Sequence, residues 1–149
     1  MSIQNRANHC QATTQLGSLR KDPQAAYESQ MPQHTCAGIR LLKCSLDGDL
    51  RLVSFDNDNS PPYAILSHTW IQGEEVTYDD LMVGRGKDNN KLRFCAQQTK
   101  RDGLDYFWVD TCCINKSTVQ ELSTAINSMF RWYQHASVCY VYLPDVSVR

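Results

Sequence analysis

The chain has 149 residues, 15 Lys and Arg against 16 Asp and Glu, and a formal net charge of -1. That is the size of one ordinary domain, and the near balance of charge excludes a protein that grips nucleic acid through a basic surface. Hydrophobic residues make up 42%, enough for one core, yet no run approaches the roughly 20 apolar residues of a membrane-spanning helix.

The first 30 residues, MSIQNRANHCQATTQLGSLRKDPQAAYESQ, lack the apolar stretch of a secretory signal, so the expected compartment is the reducing cytoplasm. The seven cysteines then read as thiols. They are odd in number and form no C-x-x-C pair, which removes zinc-ribbon and thioredoxin-like readings. His9-Cys10 and His34-x-Cys36 lie in a polar stretch with no scaffold to fix tetrahedral geometry, and no metal site is expected.

Residues 1–36 are rich in Gln, Ser, Thr, Asn and Ala without an apolar period, and read as a disordered leader; the fold is assigned to 37–149. Ile39 to Ser45 and Asp49 to Phe55 are apolar-rich runs joined through Leu46-Asp47-Gly48, a hairpin signal. Asp56 to Pro62 then breaks the chain. Three short, nearly continuous apolar runs follow, Tyr63 to Leu66, Leu104 to Val109 and Val138 to Leu143, which is how strands of a parallel sheet buried on both faces read.

Between the first two runs, Asn90 to Arg101 places Leu92, Cys95, Ala96 and Thr99 at helical spacing, with Gly103 where a C-terminal cap belongs. Lys91, Arg93, Lys100 and Arg101 read as its solvated side. Between the last two runs, Ser117 with Gln120 suggests a capping box, followed by an expected core stripe of Val119, Leu122, Ile126, Met129, Phe130 and Tyr133. The order predicts an α/β fold, a doubly wound, flavodoxin-like parallel sheet preceded by a β-hairpin.

In such a sheet the functional edge lies beyond the carboxyl ends of the strands. Three loops fall there: Ser67-His68-Thr69-Trp70, Asp110-Thr111-Cys112-Cys113, and Pro144-Asp145. Cys113, His68 and Asp110 would form a nucleophilic set only if folding brought them within hydrogen-bond reach; a packed thiol, a loop histidine and a turn carboxylate are the simpler roles. Asp56-Asn57-Asp58-Asn59 lacks the Gly and Glu of a calcium loop. Gly84-Arg85-Gly86-Lys87 is too short for a phosphate loop and reads as a surface turn.

The strings PPYAILSHTW, EEVTYDDL, KLRFCAQQTKRDGLDYFWVDTCCINK and ELSTAINSMFRWYQHASVCYVYLPDV resemble, in order and spacing, the fungal heterokaryon incompatibility (HET) domain. The resemblance implies a module for non-self recognition and programmed cell death, a form of innate immunity in filamentous fungi. It implies a fold similar to Toll/interleukin-1 receptor (TIR) domains, and protein partners, either copies of itself or NLR-type allorecognition proteins; charge and hydropathy add the expectation of no nucleic acid and no membrane. Ser67 and Trp70 match the family's Ser-x-x-Trp loop, and Asp110, Cys113 and Ile114 its Trp-Val-Asp-x-x-Cys-Ile segment. With His68, these positions, Ser67, Trp70, Asp110 and Cys113, are the candidate ligand-binding edge.

Some TIR domains cleave NAD, so NAD is a possible ligand and an NAD-cleaving enzyme the alternative function. The family pattern departs here at Ile71, where Gly is usual, and at Asn115, where Asp is usual. It also normally continues into a Trp-rich block whose Glu corresponds to the catalytic carboxylate of NAD-cleaving relatives. The expectation is therefore a truncated domain, its sheet incomplete at the C-terminus, with no complete catalytic site, no assigned catalytic residue, and Val138 to Leu143 as an exposed edge.

Overall fold

The computed structural model describes residues 38–45, 48–56 and 59–144; the expected leader at 1–36 lies outside the described residues, as does Asp145. Chain order is β1 (Ile39–Cys44), β2 (Leu50–Phe55), β3 (Tyr63–His68), α1 (Tyr78–Met82), α2 (Asn90–Arg101), β4 (Tyr106–Trp108), α3 (Val119–His135) and β5 (Val138–Tyr142).

The five strands form one sheet in the order β2-β1-β4-β3-β5. β3 runs parallel to both β4 and β5, the arrangement expected of the three apolar runs. The hairpin, expected to precede a parallel sheet, is instead part of it: β1 pairs antiparallel with β2 from Ile39↔Phe55 to Cys44↔Leu50, and antiparallel with β4 through Leu42↔Phe107 and Lys43↔Tyr106. The sheet is therefore mixed. The reason is visible in β1, where neighbours Leu41 and Leu42 point to opposite faces and both are fully buried, so the strand needs cover on both sides and a partner on each edge.

The two longer helices cover opposite faces. On α2, Phe94 packs against Tyr142, 5.3 Å between ring centroids, and Tyr142 is in register with His68. On α3, the carbonyl of Trp132 accepts the Tyr63 hydroxyl at 2.6 Å, and Tyr63, five residues from His68 along the strand, faces the other way. α2 spans Asn90–Arg101 as its periodicity requires; Asn89 caps it by accepting from the Leu92 N–H, and Gly103 follows at φ 71°.

α3 begins differently from expectation. Thr118 is its N-cap and makes no side-chain cap bond, because Ser117 is turned back, its N–H and hydroxyl both donating to Asn115 Oδ1 at 3.1 and 2.6 Å. The reciprocal capping box belongs to α1, between Thr77 and Asp80. The apolar stripe is also rotated. Ala125 and Trp132 are the buried positions of α3, with Leu122 and Met129 packed beside them, whereas Val119, Ile126 and Phe130 are 84, 59 and 73% exposed. Trp132 decides the rotation: its indole packs, tilted by 55° with ring centroids 5.6 Å apart, against Trp108, which is completely buried, and burying that ring outweighs burying Phe130.

β5 was expected to be buried on both faces. It lies at the sheet's edge, where Val138 to Leu143 was also expected, and its exposure alternates instead, with Cys139 and Val141 open to solvent.

Candidate functional site

β3 and β4 are adjacent and parallel, so the segments leaving their carboxyl ends emerge side by side. His68 is the last residue of β3, and its side chain is 2% exposed. Its Nε2 lies 2.8 Å from Asp110 Oδ1, and the other carboxylate oxygen, Oδ2, accepts the Trp70 indole N–H at 2.9 Å. Burial raises the Asp110 pKa, but the hydrogen bond and charge of His68, the charge of Lys116 and the Trp70 bond outweigh it, and the net shift is downward.

The other side of the imidazole meets a buried cation. Lys91 Nζ stands 3.3 Å from His68 Nδ1, donates to the Thr69 carbonyl at 2.7 Å, and forms an ion pair with Glu75. Glu75 also accepts the Ile71 backbone N–H at 2.7 Å. The ionised Asp110 carboxylate can only accept, so His68 Nε2 carries a proton and donates it to Asp110, while Nδ1 lies 3.3 Å from both the Lys91 ammonium and the Thr69 carbonyl. Both imidazole nitrogens are thus occupied, and the cluster ties the 69–75 loop, the start of α2 and the end of β4 into one unit.

Of the expected edge residues, the fold brings His68, Trp70 and Asp110 together. Ser67 and Cys113 are not part of that cluster. Ser67, next to His68 on the strand, points to the opposite, α3 side. Cys113 is 3% exposed, and its sulfur accepts from the Val109 N–H at 3.4 Å. The Cys113–His68–Asp110 set is therefore not assembled: the imidazole contacts Asp110 and Lys91, and the thiol is turned into the core. Among the described residues no three His, Cys, Asp or Glu side chains converge as a metal site.

Two participants escaped the sequence reading. Lys91, expected on the solvated side of α2, is 5% exposed. Two signals mark it: it lies one helical turn before Cys95 and two before Thr99 on the apolar face, and a cation in a helix's first turn opposes the dipole unless it has a partner. Glu121, in the first turn of α3, pairs with Arg40 at 2.6 Å and accepts the Asn115 N–H at 2.9 Å. Arg40 also lies over the Tyr78 ring at 4.9 Å.

Beside the cluster is a cleft of about 400 Å³, lined by Trp70, Glu75, Tyr78, Thr111, Asn115 and Lys116 among others. The Lys116 ammonium covers the Trp70 ring, 3.9 Å from its centroid. Trp70 would offer a stacking face and Lys116 a phosphate contact, while two of the nearby carboxylates are held within the chain. Asp110 is committed to His68 and Trp70, and Glu75 to Lys91 and Ile71. Asp79, also on this cleft, is solvent-exposed.

Sheet, flanking helices and a polar cluster at the strand ends define a mixed α/β domain whose candidate site is a braced network beside an open cleft. The family description "Heterokaryon incompatibility protein (HET)" matches residues 63–148, and the chain belongs to that family. It is 55% identical over 114 residues to "Vegetative incompatibility protein HET-E-1" of Podospora anserina, a match covering 73% of this chain and 8% of that protein. The chain thus spans a small part of the relative's length. No solved structure matches it.

Proposed function

We propose that the chain acts in the cytoplasm as a module of non-self recognition and programmed cell death, working through protein partners rather than by cleaving a substrate. The partners are further copies of the chain or allorecognition receptors, and the sheet is a variant of the TIR-like arrangement. The observation that carries this reading is the 55% identity over 114 residues to a protein named for vegetative incompatibility. The site agrees with it, since both ring nitrogens of His68 and both carboxylate oxygens of Asp110 are engaged within the chain, which suits a rigid support for the Trp70 loop better than acid–base chemistry.

The test is induced expression of the chain in a filamentous fungus, scored for dead cells by vital-dye uptake. Death is expected with the natural chain and not with Asp110→Ala, which releases the Trp70 loop. Unimpaired growth of the inducing strain would sink the effector reading. Consumption of NAD by the purified chain would overturn the non-enzymatic part.

A further inference from the structure

A second, basic recess runs along α2 where it meets the ends of β1 and β2. Its floor is apolar, formed by Leu50, Leu92 and Ala96, and its rim is cationic, formed by Lys87, Arg93 and Lys100, around a volume of about 220 Å³. An adjoining groove of about 240 Å³ shares Leu50 and Lys87 and adds Arg51 and Arg85, with Asp49 as its carboxylate. Among the described residues no ion pair forms at Lys87, Arg93 or Lys100, and Arg85, 76% exposed, reaches Asp80 only at 3.8 Å. In a chain with net charge -1, this is a local concentration of unneutralised positive charge.

The rim is held in place. Arg93 and Lys100 are seven residues apart, two turns along one side of α2. Lys87 is carried by a turn fixed through Arg85 N–H to Asp80 O at 2.8 Å and Asn89 N–H to Gly86 O at 3.0 Å. Gly86 sits at φ 110°, and a side chain there would come within 2.8 Å of Val76 Cγ1. The turn is thus packed down against its neighbours.

We propose that this recess docks an acidic segment of a partner protein, with one apolar side chain seated on Leu50, Leu92 and Ala96 and flanking carboxylates meeting Lys87, Arg93 and Lys100. Charge complementarity sets the sign of the partner, and the apolar floor requires more than charge. The concave shape favours a peptide over a lipid surface, since membrane-binding faces present their apolar residues outward between cations. The site is separate from the Trp70 cleft and does not depend on the function proposed above.

The test uses the whole chain and a short fluorescein-labelled peptide of Asp and Glu around a central Phe, followed by anisotropy. Saturable binding is expected, weakening with added salt, weakening when the Phe is replaced by Ser, and falling by about tenfold or more in Arg93→Glu with Lys100→Glu. Both positions are exposed, and unchanged circular dichroism of that variant shows that folding is intact. Absence of saturable binding, equal binding of the Ser peptide, or binding untouched by the charge reversal would overturn the proposal. So would tighter, reversal-sensitive binding to phosphatidylserine vesicles, which assigns the recess to lipid.

Discussion

The imidazole of His68 donates to Asp110 across 2.8 Å, joining the end of one parallel strand to the loop that follows its neighbour. The same carboxylate holds the Trp70 indole, so one side chain fixes the imidazole and orients an exposed aromatic ring. Lys91, between His68 and Glu75, braces the cluster from the α2 side.

Asp110→Asn leaves one amide N–H₂ facing a donor, either the His68 or the Trp70 N–H, and is expected to cost roughly 1–3 kcal/mol in urea unfolding at neutral pH. Trp fluorescence should shift as the Trp70 ring loses its anchor. The acid branch gives a second check. The folded pKa of Asp110 is depressed, so its contribution is complete above the unfolded value of about 3.9 and is lost as pH falls through the folded value. The stability gap between natural chain and variant should therefore narrow below about pH 4. A gap constant down to pH 2 would show that Asp110 gains nothing from its partners.

Lys91→Met removes the cation from a nearly buried ion pair and leaves the Glu75 carboxylate without it, an expected loss of about 3–5 kcal/mol. Adding Glu75→Gln should recover much of that loss, because the uncompensated charge disappears. A double-mutant cycle by chemical denaturation measures the coupling. Simple additivity of the two substitutions would refute the bracing role.

The strands and α2 were legible because their signals are local: continuous apolar runs at Tyr63 and Val138, and the spacing of Leu92, Cys95, Ala96 and Thr99. The family strings marked Trp70 and Asp110, the loop after the first core strand marked His68, and the strand ends brought the three together. What escaped depends on tertiary partners. The antiparallel pairing of β1 with β4 has no signal in either strand alone. The phase of α3 depends on where the buried Trp108 sits, which periodicity in α3 does not contain. Cys113 carried a family match, yet its side-chain direction follows from the turn after Val109, where it accepts that residue's N–H.

Phe130 and Trp132 test the phase of α3 directly. Phe130 is 73% exposed and Trp132 5%. Phe130→Ser is expected to change stability by no more than about 0.5 kcal/mol, while Trp132→Ala, which opens a cavity against Trp108, should cost about 3–5 kcal/mol. Thermal unfolding of the two variants side by side decides it. A large loss from Phe130→Ser would return that residue to the core and rotate the helix back to the stripe read from periodicity.

Tyr63 sets the alkaline limit. Its side chain is 2% exposed, its hydroxyl donates to the Trp132 carbonyl at 2.6 Å, and burial pushes its pKa up to about 12. Because the folded value lies above the unfolded value of about 10, the neutral phenol's contribution is complete below pH 10 and is lost as pH rises toward 12. Tyr63→Phe loses the hydroxyl bond, but the Trp132 carbonyl still accepts the Ala136 N–H, so the cost at neutral pH should be only about 0.5–1.5 kcal/mol. Tyr133 and Tyr140, whose pKa values are also raised, keep part of the alkaline destabilisation in the variant. The difference in Tm between natural chain and variant should therefore shrink from pH 10 to pH 12 without the variant becoming insensitive to pH. A difference that stays constant across that interval would mean that Tyr63 ionises as readily in the folded chain as in the unfolded one, and that its hydroxyl is not buried against Trp132.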